Sequence, residues 1–303
     1  VYEDQLWDVL KGDQAAFAAY NALMGAGGEV YIVGGAVRDV IAGTNPNDVD
    51  LMVRNLDANQ IQAALQNLGK LVYKGKQFGV FILQRGGDTV EIALPRTEIS
   101  TGRGHTQFDV VADPNIPVET DLGRRDFVSN AMAFNLGTGA LVDPYGGAQA
   151  ITDGQLKLVN PKAFEEDPLR VVRALVAVAK QGLEPDEQLM ESLKDNASAI
   201  RYLPGERIQK EFDKLFSGSD PARAFEIAFE SGLIDYLLPE LSAMVGFDQY
   251  NPHHDLTVDQ HTLQVLRAMG GLSNDIDMRL AALFHDSGKP DSFWRDDDAP
   301  EGG

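Results

Sequence analysis

Residues 31–53, YIVGGAVRDVIAGTNPNDVDLMV, constrain this chain more than any other stretch. The run VYIV at residues 30–33 is β-branched and aromatic, which predicts a strand. Gly34-Gly35 breaks it, and residues 36–42 read as a short helix. Thr44, Asn45, Pro46 and Asn47 make a turn, and residues 48–53 read as a second strand. Alternation along that strand puts Asp48 and Asp50 on one face and Val49 and Leu51 on the other. Two carboxylates this close repel each other unless a cation lies between them. An oxygen-rich pair suits magnesium (Mg2+), which keeps waters and binds substrate phosphates. Gly34 and Gly35 leave backbone N–H groups open to a triphosphate, and Arg38 adds charge from the first helical turn. The stretch thus reads as phosphates over a metal, although D-x-D by itself is more often a solvated surface turn.

Further along, Asp57 caps an expected helix over residues 58–68, and three strand-like runs follow at 70–73, 78–83 and 89–94. Gly86-Gly87-Asp88 predicts a hairpin between the last two. Glu91 alternates with Ile92 on the last strand, as a third carboxylate for metal or base work or as an exposed strand glutamate. Residues 97–120 carry little regular pattern and read as a long loop. Residues 121–133, DLGRRDFVSNAMA, predict a helix opened by Arg124-Arg125-Asp126, with an anion-favouring N-terminus. Asp126 and Asn130, four apart, would share a face and suit ribose hydroxyls, while the arginines suit phosphates.

From residue 154 the pattern turns helical. In EEDPLRVVR, residues 165–173, Pro168 fits a first helical turn after Asp167 as cap. Glu166, Arg170 and Arg173 would share a face; the plain reading is a Glu166–Arg170 salt bridge. An aspartate acceptor and an arginine donor at this spacing also suit a base edge. Short amphipathic helices follow at 186–200, 205–216, 221–231 and 233–245. Beyond residue 246 come His253-His254, His261 and the pair His285-Asp286; His261, His285 and Asp286 would be imidazole and carboxylate ligands for a divalent transition metal.

These motifs, in this order, resemble the nucleotidyltransferase superfamily, in the class that holds bacterial CCA-adding enzymes and poly(A) polymerases. Residues 124–131 look like the family's R-R-D-F-T-x-N-A, with Val128 where threonine is usual, and residues 166–173 match its E-D-x-x-R-x-x-R. The family often has an acid ahead of an arginine where Glu91 and Arg96 stand. The resemblance implies an α+β fold: a nucleotidyltransferase head (mixed sheet with helices) over residues 1–150, an all-α neck and body over 151–245 for base selection and RNA binding, and a partial helical HD domain over 246–303. It implies catalysis by Asp48, Asp50 and Glu91 with Mg2+, and nucleotide binding by Gly34, Gly35, Arg38, Arg124, Arg125, Asp126, Asn130, Asp167, Arg170 and Arg173. In relatives the aspartate and first arginine of the last motif template cytosine and then adenine, which falls on Asp167 and Arg170. The expected activity is addition of C-C-A to the 3′ end of tRNA from CTP and ATP. A poly(A) polymerase or a partial CC- or A-adding enzyme shares every motif. A metal phosphohydrolase run by the HD region, or an inactive RNA-binding remnant, are the more distant readings. The chain starts at Val1 and stops at Gly303, before the HD motif's usual distant aspartate, the pattern of a fragment.

Charge argues the other way. The chain carries a net charge of −20, whereas a nucleic-acid binder normally shows a basic footprint. Net charge speaks to solubility and association rather than fold, so a local basic strip remains compatible with it. The absence of cysteine excludes disulfides and thiolate metal sites. No apolar run approaches a membrane span and the first residues lack a basic-then-apolar leader, so the expected compartment is cytoplasmic.

Overall fold

The computed structural model describes residues 2–74, 79–100, 108–248 and 255–292. The expected His253-His254 pair, and parts of the expected strand 78–83 and loop 97–120, lie outside the described residues. The chain divides into two compact units, Val1–Ala163 and Phe164–Gly303. Among the described residues no helix is long and apolar enough to cross a membrane.

The first unit opens with helices α1 (Tyr2–Gly12) and α2 (Gln14–Gly25), divided where Asp13 accepts a bond from the Ala16 N–H at 2.7 Å. Strand β1 (Glu29–Val33), helix α3 (Gly35–Ile41), strand β2 (Asp50–Arg54) and helix α4 (Ala58–Leu65) follow, α4 starting in a capping box between Asp57 and Gln60. Strands β3 (Lys70–Lys74), β4 (Val80–Arg85) and β5 (Asp88–Ala93) form a meander. The β4–β5 turn is Gly86-Gly87, both at positive φ (62° and 92°), as a two-residue hairpin loop requires.

Strands β6 (Arg96–Ser100) and β7 (Phe108–Ala112) pair as a separate antiparallel ribbon. Part of the expected loop is therefore strand. The ribbon is short and stands outside the main sheet. Helix α5 (Val118–Gly123), strands β8 (Ala133–Asn135) and β9 (Leu141–Val142) and helix α6 (Gly147–Thr152) complete the unit.

The main sheet has the order β3-β4-β5-β2-β1-β8-β9; β2 and β5 run parallel and the other neighbours antiparallel. Period-2 geometry sorts its side chains. Val30, Ile32, Leu51, Val53, Phe81, Leu83 and Ile92 bury with Leu6, Leu10, Leu23, Val37 and Ile61 of the first four helices. Tyr31, Val33, Met52 and Ala133 point the other way and bury with Val118 and Leu122 of α5. That second face carries the carboxylates described below.

The second unit is helical: α7 (Ala163–Glu166) at its start, then α8 (Leu169–Gln181), α9 (Glu187–Asn196), α10 (Gly205–Phe216), α11 (Pro221–Glu230), α12 (Ile234–Leu237), α13 (Val258–Leu272), α14 (Ile276–Phe284) and α15 (Lys289–Ser292). Helix α8 packs on α10 and α11, α11 on α13, and α13 on α14. Val171, Val172, Leu175, Leu215, Phe216, Phe225, Leu266 and Leu283 are buried there. A mixed sheet followed by helices is the expected α+β class.

Candidate active site

The strand ladder begins at Asp50, not Asp48: β1 ends at Val33, whose partner is Asp50, and Gly34 then turns away. Asp48 thus lies in the preceding loop, a correction to the expected strand, yet the alternation survives, with Asp48 and Asp50 exposed and Val49 and Leu51 buried. Across the parallel pairing, Asp50 is the register partner of Glu91, so both side chains leave the same face of the sheet. The Asp50 carboxyl is pushed up to about 6. Water displaced by the surrounding protein is the main cause; the Glu91 charge adds to it, Arg125 opposes it, and Asp48 raises it a little further. Asp50 remains accessible, so a ligand can reach it. Asp50, resisting ionisation beside Glu91 and Asp48, belongs to an oxygen donor set that fits a hard divalent cation.

Gly34 contributes differently from expectation. Its N–H donates to the Met132 carbonyl at 3.2 Å, so it does not face a phosphate. It sits at φ 68°, ψ −122°, and a Cβ there would lie 2.7 Å from Arg125 Nη1. The missing side chain leaves room for that guanidinium. Gly35 starts α3, and Arg38 follows on it with Nη1 donating to Asn130 Oδ1 at 2.7 Å and Nε to Asp39 at 2.8 Å.

Arg124-Arg125-Asp126 do not open a helix. They follow the end of α5, and only a single 3-10 turn over residues 128–130 comes after. The reason is a partner segment: Phe127 bridges to Leu158, the Val128 N–H donates to the Lys157 carbonyl, and the Val159 N–H donates to the Asp126 carbonyl. Those bonds hold the backbone extended, so the anion-favouring helix start does not exist. Asp126 and Asn130 still meet, with Asn130 Nδ2 donating to Asp126 Oδ1 at 3.1 Å. Arg38, Asn130 and Asp126 therefore form one continuous polar chain.

Asp121 is the residue that sequence reasoning passed over. It is 1% exposed. Its Oδ1 accepts from Arg124 Nε and Nη2, both at 3.1 Å, and from the Arg96 N–H at 3.0 Å; its Oδ2 accepts from Arg125 Nη2 at 3.3 Å. Arg125 Nη1 also donates to the Asn130 carbonyl at 3.3 Å. The clue in the sequence was the i,i+3 and i,i+4 spacing of an acid to two arginines. Arg96 has its guanidinium pKa lowered by burial first and then by the positive charges of Arg124 and Arg125, with Asp121 opposing.

In the second unit, Pro168 rather than Asp167 stands at the N-cap of α8; Asp167, one residue earlier, has its Oδ1 accepting from the Leu169 N–H at 3.1 Å and lying 3.8 Å from Arg207 Nη2. Arg170 is buried and its Nη1 meets Glu166 at 3.4 Å, so the plain salt bridge is present. Arg173 is exposed, and it does not share the burial of Arg170. Farther on, His261 Nε2, His285 Nε2 and a carboxylate oxygen of Asp286 lie within 4.8 Å of one another. His285 Nδ1 donates to the Ala282 carbonyl at 2.8 Å, so Nε2 is the ring nitrogen turned toward His261 and Asp286. Lys289 Nζ stands 2.7 Å from Asp286 Oδ2.

Residues 30–157 match the family model described as the poly A polymerase head domain, and residues 182–244 match the one described as a probable RNA and SrmB-binding site of polymerase A. A multifunctional CCA protein of Nitrosococcus oceani is 37% identical over 274 residues, covering 88% of this chain and 65% of that protein. One from Neisseria gonorrhoeae is 37% identical over 267 residues, covering 86% and 62%. The chain thus spans slightly less than two thirds of the length of these relatives. Among solved structures, a CCA-adding enzyme in its apo form II aligns with a TM-score of 0.68 at 25% identity, over 92% of this chain and 63% of that one. The Bacillus stearothermophilus CCA-adding enzyme in complex with CTP aligns with a TM-score of 0.65 at 24% identity, over 90% and 78%, a likeness of fold.

Proposed function

The chain belongs to the family of CCA-adding tRNA nucleotidyltransferases and poly(A) polymerases, and we propose that it adds C-C-A to the 3′ end of tRNA from CTP and ATP. The observation that carries this reading is the pairing of Asp50 with Glu91 on a face flanked by Arg125. Anionic oxygens for metal and cationic groups for triphosphate stand side by side, as phosphoryl transfer requires.

Asp48 and Asp50 would hold magnesium, with Glu91 as their neighbour on the same face. When bound, the metal lowers the pKa of the attacking hydroxyl and offsets charge on the triphosphate. The RNA 3′-hydroxyl attacks the α-phosphorus in line and releases its proton to solvent; the new O–P bond forms as the bond from the α-phosphorus to the bridging oxygen breaks, and pyrophosphate leaves with that oxygen. Arg124 and Arg125 hold the phosphates, Arg38 orients Asn130, and Asn130 with Asp126 holds the ribose. Asp167 and Arg170 select the base, with Arg173 as an accessible cation beside them.

The deciding experiment supplies labelled CTP and ATP, separately and together, to a tRNA transcript ending at its discriminator base. Two C's and then one A, with A depending on prior CTP, supports the proposal. A lengthening A tail from ATP alone replaces it with poly(A) synthesis, and C or A alone with a partial enzyme.

A second site has its own observation. His261, His285 and Asp286 converge at metal-ligand spacing, with the His285 ring held through Nδ1 by the Ala282 carbonyl. They suit a divalent transition metal, and hydrolysis of a phosphate ester that survives Asp48→Ala plus Asp50→Ala would belong to them.

A further inference from the structure

We infer that Asp121 is a positioning residue for nucleotide: it fixes the guanidinium groups of Arg124 and Arg125 in the geometry that receives the triphosphate, before any nucleotide arrives. The inference rests on the proposed nucleotidyl transfer.

Arginine side chains are long, and immobilising each one costs rotamer freedom. Two adjacent guanidiniums also repel each other. Both costs fall on binding unless the protein settles them in advance. Asp121 does this with one carboxylate: Oδ1 takes two N–H groups of Arg124, and Oδ2 takes one of Arg125. Burial to 1% exposure strengthens those bonds by removing competing water. Arg125 is further pinned by the Asn130 carbonyl and by its seat over Gly34.

The charge count matters as well. One carboxylate bonds both Arg124 and Arg125 and lies near Arg96, with Glu91 and Asp50 as the next acids, so the arginine pair is held together by a shared counter-charge. Because the Arg96 N–H also bonds Oδ1, the same carboxylate ties the start of β6, five residues beyond Glu91, to the arginine pair. An aspartate that only stabilised the fold would have no reason to spread its bonds over the groups that meet phosphate.

The test is kinetic. Wild type, Asp121→Asn and Asp121→Glu are compared for KM and kcat with CTP and ATP, and for inhibition by pyrophosphate and by CMP. Asp121→Asn is expected to raise KM and the pyrophosphate inhibition constant together by about tenfold or more, while CMP inhibition stays near wild type; the thermal midpoint falls, because a buried charge partner is lost. Unchanged pyrophosphate inhibition overturns the inference. So does equal loss of CMP and pyrophosphate inhibition, which marks a general structural role. Should Asp121→Asn not fold, Asp121→Glu keeps the charge on a longer arm: a raised KM at retained kcat upholds the inference, and an unchanged KM overturns it. Wild type that incorporates no nucleotide sinks the functional reading and this inference with it; wild-type turnover matched by Asp121→Asn sinks the inference alone.

Discussion

Asp50 and Glu91 face each other in register across the parallel strands β2 and β5, and the Asp50 carboxyl titrates near 6, well above an ordinary aspartate. Metal binding at this face must therefore displace a proton over a range where most aspartates have none. Magnesium affinity is expected to rise with pH up to about 6 and level off above it. Below 6 it should fall by about tenfold per pH unit. Calorimetric titration at pH 5, 6 and 7.5 checks this; a flat profile would mean that Asp50 is not a ligand.

The same shift has a consequence for stability. The folded protein holds the Asp50 proton more tightly than the unfolded chain does, so this group's contribution declines as pH rises from about 4 to 6 and stays low above that. Metal-free Asp50→Asn is therefore expected to melt higher than wild type at pH 7.5 and about level with it at pH 4. Scanning calorimetry with chelator at both values measures the difference. A lower melting point for the variant at pH 7.5 would contradict the assigned cause.

Gly34→Ala meets two obstacles at once: a φ of 68° with ψ −122°, and a Cβ 2.7 Å from Arg125 Nη1. The backbone strain alone costs about 1–3 kcal/mol, and the side chain also displaces Arg125. Gly43→Ala is the matched control, at φ 76° with open space around it. Both variants should lose stability, but only Gly34→Ala should raise KM for nucleotide. Equal KM values in urea-matched preparations would show that Arg125 does not depend on the glycine.

The features legible in the sequence were those set by local rules. Asp57 as a cap, the Gly86-Gly87 turn and the alternation of Val49 and Leu51 against the two aspartates all follow from neighbours in the chain. What the sequence hid came from partners far away. Residues 124–126 look like a helix start, but they form the turn that leaves α5, and the bridge of Phe127 to Leu158 makes the chain extended there instead of helical. The Gly34 N–H looks open, and only the Met132 carbonyl closes it. Asp121 looked like one acid among many, because the Arg96 N–H that completes its set lies 25 residues upstream. Glu91 was ambiguous until a parallel pairing, which no hairpin pattern announces, set it opposite Asp50.

Lys289 competes with any metal at the histidine cluster. Its ammonium lies 2.7 Å from Asp286 Oδ2, an oxygen also 3.2 Å from His285 Nε2 and 3.6 Å from His261 Nε2. Lys289→Ala should tighten binding of Mn2+ or Ni2+ roughly three- to tenfold, the range expected for loss of one partly exposed ion pair. His285→Ala should abolish it. Metal titration followed by thermal shift reads both, and an affinity unchanged by Lys289→Ala would mean that Asp286 is not a ligand.

Arg279 tests how the helices of the second unit are held. It is 1% exposed, and the partners described for it are oxygens of carbonyls and an amide: Nε donates to the Ser273 carbonyl at 3.0 Å, Nη2 to Asn274 Oδ1 at 3.0 Å, and Nη1 to the carbonyls of Phe216 and, at 2.8 Å, Gly218. Phe216 ends α10, where carbonyls lack intrahelical partners and the helix dipole is negative. A guanidinium from α14 thus caps α10. Arg279→Met fills similar volume but leaves those carbonyls buried without donors, a loss of roughly 3 kcal/mol. Arg279→Lys keeps the charge without the fork and should lose less. Urea denaturation followed by helical circular dichroism ranks the three proteins, and a Met variant as stable as wild type would show that water, not Arg279, satisfies the end of α10.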